Sequence, residues 1–162
     1  MKQYLIDTFR FNDWAQRRMF IAARELPDRT DVNKIFSHII SAQEKWLRRA
    51  KGDPNETSIS WWDTISNEEV EGRWTANLNE WIEYLAKLDD NDIESKVEYT
   101  PGPDDNGSSQ KLRDVVLQLN YHAIHHRAEI GLRIRDQGFE VPPVDYIYYL
   151  PPGNSEFAHA AR

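Results

Sequence analysis

The chain has 162 residues, 40% of them hydrophobic and 29% charged, with no cysteine and a formal charge of −7. Without cysteine there are no disulfides, thiolate nucleophiles or thiolate metal sites, and a cytoplasmic location is the expectation. The acidic balance argues against nucleic acid or an anionic membrane as partner, since both call for clustered Lys and Arg; no apolar run is long enough to span a bilayer, and no targeting segment is visible.

In chain order, residues 3–25 place Tyr4, Leu5, Phe9, Trp14, Met19, Phe20 and Ala23 at helical spacing, stopped by Pro27. Asp31 is suited to cap a second helix that runs to about Lys51, with Gly52-Asp53-Pro54 as its terminator. Residues 53–73 are polar and turn-rich apart from Ile59 and the Trp61-Trp62 pair, and read as a long connection. A third helix fits 74–89, with Trp74, Leu78, Trp81, Ile82, Leu85 and Leu88 on one side. Lys96–Thr100 alternates like a strand and runs into Pro101-Gly102-Pro103 and Asp104-Asp105-Asn106-Gly107, a turn. The fourth helix spans about 110–136, with Gly138 placed for its C-terminal cap.

Pro142-Pro143 then leads into the aromatic run Tyr146–Leu150, and residues 151–162 carry little apolar content and are expected to be a flexible tail. These elements predict an all-α four-helix bundle forming a single domain over 1–150. The basic groups Arg17-Arg18 and Arg48-Arg49-Ala50-Lys51 read as solvated helix faces or ends.

The chemistry-bearing segment is Asn120–Arg127, which holds three of the five histidines. At 100° per residue with Leu119 at zero, Leu112, Val115, Val116, Ala123 and Ile130 fall within about 60° and define the buried stripe. His126 projects to about −20° and His122 to about −60°, whereas His125 lies off the stripe at about −120°. On the second helix, with Ile35 at zero, His38 lies at about −60°, also at the edge of an apolar stripe. If those edges adjoin, three imidazoles converge with a coordination position left open. Spacing alone leaves two readings: a metal site, or buried histidines hydrogen-bonded as core residues.

Several segments resemble the DinB family, which takes in the YfiT-like metalloenzymes, over most of the chain from about Tyr4 to Leu150. Phe11–Arg18 resembles the family's Asn-x-Trp-x-Asn segment, with Gln16 in place of the final Asn. Ser37-His38-Ile39-Ile40 with Trp46-Leu47 resembles the segment that supplies the first metal-binding histidine. Asn120-Tyr121-His122 and His125-His126-Arg127 resemble Asn-His…Tyr-His-Arg-Gly-Gln, and Pro142–Tyr149 resembles the C-terminal proline-aspartate-tyrosine signature.

The resemblance implies a helical bundle holding a divalent metal on His38, His122 and His126, and a homodimer for which the first and fourth helices are the expected interface. It implies a small-molecule substrate, in either a hydrolase-like enzyme or a transferase using a low-molecular-weight thiol such as bacillithiol, mycothiol or glutathione. The alternative is a stress-response or binding module whose metal is structural or sensory. Three imidazoles suit Zn or Ni, with Fe, Mn and Cu open.

Departures from the pattern are informative. Tyr121 separates Asn120 from His122, Ala128-Glu129 replaces Gly-Gln, and Gln43 falls where many relatives carry an acid. Glu129 projects to about −80°, where it would orient a ligand imidazole, act as a base, or simply pair with Arg133. Arg127 projects outward at about 80° and is the candidate for holding an anionic substrate group.

Overall fold

Four long helices form the body: α1 (Lys2–Arg24), α2 (Thr30–Ala50), α3 (Val70–Ala86) and α5 (Leu112–Asp136). Short elements complete the computed structural model, which describes residues 1–100 and 109–150: a 3-10 turn (Glu56–Ser58), α4 (Asp90–Glu94), β1 (Lys96–Glu98), β2 (Ser109–Lys111) and α6 (Tyr146–Tyr149). The all-α expectation holds, with a two-stranded antiparallel pair in which Val97 faces Gln110. The proposed turn at 101–107 and tail at 151–162 lie outside the described residues.

The stops of α2 and α5 follow from glycine. Gly52 and Gly138 have φ of 68° and 86°, a region that costs glycine nothing. At α5 the Gly138 N–H donates to Arg135 O and the Phe139 N–H to Ile134 O. At α2 the Gly52 N–H donates to Arg49 O and the Asp53 N–H to Arg48 O. These paired bonds satisfy carbonyls that would otherwise lack donors. Helix α3 ends at Ala86 rather than at 89, and two further boundaries differ from expectation. Asp31 is not the cap of α2, which begins at Thr30, but sits in its first turn where a carboxylate suits the helix dipole. Helix α3 begins at Val70, four residues early, because Val70 is buried in the same core as Trp74.

The apolar interior divides into two clusters. One gathers Met19, Phe20, Phe36, Ile39, Trp74, Ala123 and Ile130; the other gathers Leu5, Phe9, Leu47, Trp81, Val116 and Leu119. Between them along each helix sit buried polar residues: Asn12 and Gln16 on α1, Ser41 and Gln43 on α2, Asn77 on α3, and Asn120 on α5. The Asn120 Nδ2–H donates to Thr8 Oγ1 at 3.0 Å, tying α5 to α1.

Arg49 departs from the solvated-face reading. It is buried, donates to Glu56 Oε2 at 2.9 Å and to Thr100 O at 3.2 Å, and lies over the rings of Trp46, Tyr99 and Trp61. A guanidinium can be buried this way because its planar fork pairs and stacks at once. The clamp fixes the long connection after α2, and that connection carries the tryptophan pair.

Candidate metal centre

Helices α2 and α5 pack so that the predicted stripe edges adjoin. His38 Nε2 and His126 Nε2 each lie 3.1 Å from His122 Nε2. The ligand atoms of the three all fall within 4.8 Å of one another, and the group could hold a metal ion. A tetrahedral zinc ion at ordinary Zn–N distances spaces its nitrogens roughly 3.3–3.4 Å apart, and an octahedral ion about 3 Å. The observed spacing suits either.

The other ring nitrogens decide which atoms point at that centre. His38 Nδ1–H donates to the Trp61 carbonyl at 2.6 Å, and His126 Nδ1–H donates to Glu129 Oε2 at 2.8 Å. Since neither acceptor can donate, both Nδ1 atoms carry the proton and both Nε2 atoms present a lone pair inward. The two lone pairs on His38 Nε2 and His126 Nε2 both face His122 Nε2 at 3.1 Å. A single Nε2–H on His122 can serve one of those neighbours at a time, whereas a cation could be met by all three.

Electrostatics favour the neutral, ligating form. Burial pushes His122 down to about 4, reinforced by His126, His38 and His125 beside it. Burial also lowers His38, partly offset by its bond to Trp61 O. The hydrogen bond from His126 holds the Glu129 carboxyl below the usual carboxylate range, with His125 and Arg133 adding to it.

The connection after α2 supplies a wall that helical periodicity does not reveal. Trp62 stacks on His38 with centroids 3.9 Å apart and planes 11° from parallel. Its chain is pinned on both sides of the tryptophans. Lys45 Nζ donates to Ile59 O at 2.9 Å, while Asn33 Nδ2–H donates to Ile65 O at 2.6 Å and Ser37 Oγ accepts from Ile65 N–H. Two adjacent tryptophans in a polar loop were the available signal, because exposing both without a partner surface is costly. A cleft of about 430 Å³ opens beside Trp62 and Glu129, walled by Ile35 and Leu132 with Lys34 and Arg133 nearby.

The remaining candidates are placed as follows. His125 has a 70% exposed side chain and its Nε2 lies 3.3 Å from Glu129 Oε1, outside the triad. His125, His126 and Glu129 form a second group within metal-ligand reach, but it shares His126 with the triad and is more exposed. Arg127 does not project outward. It is buried, its Nη1–H donates to Asn12 Oδ1, and its guanidinium lies 5.8 Å from the Phe11 ring. Burial pushes it down to about 9, still protonated at neutral pH. The wheel misplaced it because α5 is covered on two sides. Its α1-facing side is made of Asn120, Arg127 and Gly131, which an apolar stripe does not register. Gln43 is buried, and neither of its side-chain polar atoms has a hydrogen-bond partner among the described residues.

A helical bundle that gathers three imidazoles from two facing helices around one point defines a class: helical proteins with a histidine-triad centre able to hold a metal. The family model described as the DinB superfamily matches residues 13–130, and the chain belongs to that superfamily. It is also similar to Protein DinB of Bacillus subtilis (strain 168), at 18% identity over 93% of this chain and 95% of that protein. No solved structure matches it. Among the described residues, no helix is long and apolar enough to cross a membrane.

Proposed function

We propose that the protein is a metal-dependent enzyme with His38, His122 and His126 as ligands, acting on a small molecule as a hydrolase or as a low-molecular-weight-thiol transferase. The observation that carries this reading is the convergence of three Nε2 atoms whose opposite nitrogens are tied down at His38 and His126. A divalent ion there supplies Lewis-acid activation of water or of a thiol, with zinc or nickel the best match to the donors.

The chain's own residues set up the chemistry around it. The Trp61 carbonyl and the Glu129 carboxylate fix two imidazoles, which makes Glu129 an orienting group before it is a base. Trp62 covers one side of His38, and the adjoining cleft offers Ile35 and Leu132 together with Lys34, Arg133, Asp31 and Asp136 for a substrate of mixed character. The same reading includes a homodimer through the outer faces of α1 and α5, where Tyr4, Ile21 and Tyr121 are exposed.

Metal analysis after purification without chelator tests the centre, and a divalent content near zero would sink this reading. Turnover assays of the metal-loaded protein, using esters and amides on one side and thiols with electrophiles on the other, test the activity. Metal bound stoichiometrically without turnover in either panel would favour a structural or sensory metal.

A further inference from the structure

Arg127 presents a charge without a counter-ion. Its residue exposure is 3%, and no carboxylate among the described residues lies within ion-pair distance of it. One N–H group is used on Asn12 Oδ1, while Nη2 is buried with no partner among the described residues. Buried charges are ordinarily paired, because an isolated one forfeits its hydration without compensation.

Arg127 also lines a cavity. It lies between α1, α5 and the segment 141–146, measures about 350 Å³, and is walled by Phe11, Met19, Ile124, Val141, Val144 and Tyr146. Asp145 and Arg135 also line it; both are exposed, so they bring opposite charges to its solvent side. Gly131 forms part of the floor. A Cβ there would meet Val141 Cγ1 at 3.3 Å, so the bare helix surface lets the segment approach. The volume falls in the range of small-ligand sites, and apolar walls with one buried polar anchor are their usual makeup.

We propose that this cavity binds a small carboxylate with an apolar or aromatic body, its carboxylate paired with Arg127. The unpartnered Nη2 group is the donor available to a carboxylate, and desolvation strengthens a charge-assisted pair. The site faces α1, whereas the histidine triad faces α2, and it does not depend on the metal.

The test is calorimetric titration of the full chain, after chelator treatment, with 2-naphthoate and with its neutral analogue 2-naphthamide. The expected result is saturable one-to-one binding of 2-naphthoate, with the amide at least about tenfold weaker. Arg127→Met should lose at least about tenfold in 2-naphthoate affinity while keeping the wild-type fold by circular dichroism. Val144→Trp, which fills the cavity with Arg127 intact, should lose binding as well. His126→Ala should bind 2-naphthoate like the wild type, so failure of the metal reading leaves this one standing. Equal affinity for acid and amide, undiminished binding by Arg127→Met, or no binding of 2-naphthoate up to roughly 1 mM would overturn the proposal.

Discussion

Trp62 lies flat on His38, 3.9 Å between ring centroids, while the carbonyl of the preceding residue accepts the His38 Nδ1–H. One short piece of chain thus sets both the tautomer and the tilt of an imidazole on another element. Trp62 is 53% exposed, so its truncation leaves the core untouched. Trp62→Ala should keep the wild-type fold by circular dichroism and lose about tenfold in metal affinity, the scale typical of groups that orient a ligand. Unchanged affinity in a competition titration would show that the stacking does not position His38.

Glu129 is the counterpart on α5. Glu129→Ala should weaken metal binding by roughly 10–100-fold, with Glu129→Gln in between because it keeps an acceptor for His126. His126→Ala should abolish binding, and His125→Ala should leave it near wild type. Equal loss in the two histidine variants would point instead to the group His125, His126 and Glu129.

The metal-free protein should lose stability on mild acidification. His122 in the folded chain sits at about 4, below its ordinary value of 6.5, and His38 is lowered too. Between those values the unfolded chain binds protons that the folded chain does not. The stabilisation is therefore complete above about pH 6.5 and drains away as pH falls toward about 4. Thermal melts in chelator from about pH 8 to about pH 5 should show this decline, and His122→Asn should flatten it. A curve as steep in the variant would assign the decline to other groups.

Arg49 and Glu56 have side chains only 4% and 8% exposed. Glu56→Ala strands a buried guanidinium, an event that costs about 3–5 kcal/mol. The melting temperature should fall by roughly 10 °C, given the few degrees per kcal/mol typical of a chain this size. Metal affinity should fall with it, because the same guanidinium lies over Trp61, whose carbonyl holds His38. A destabilised variant with undiminished metal affinity would uncouple the clamp from the centre.

Much of this was legible without coordinates. The 3.6-residue periodicity of α1, α2, α3 and α5 predicts the bundle, and the same angular arithmetic separates His122 and His126 from His125, because one helix's side chains share one rigid frame. What helical arithmetic cannot see is a second covered face composed of polar and small residues. Asn120, Arg127 and Gly131 fill the α1 side of α5, and Arg127 therefore lies inside, against Asn12 and Phe11, rather than out in solvent. Arg49 was misread for a related reason: its partners Glu56, Tyr99 and Thr100 stand on separate segments, and pairing across segments leaves no periodic trace.

The sequence by itself determined which residues lie on which edge of each helix, and hence that three histidines were available to meet. Only the tertiary structure decided that they do meet, at 3.1 Å between ring nitrogens, and which nitrogen of His38 and His126 faces inward. It decided this because the proton on each Nδ1 is fixed by an acceptor, Trp61 O or Glu129 Oε2, and the Trp61 carbonyl is brought there by Lys45, Asn33 and Ser37 anchoring a loop with no period of its own. Helix geometry is local and can be counted along the chain; an acceptor delivered from another segment depends on packing that closes over long separations.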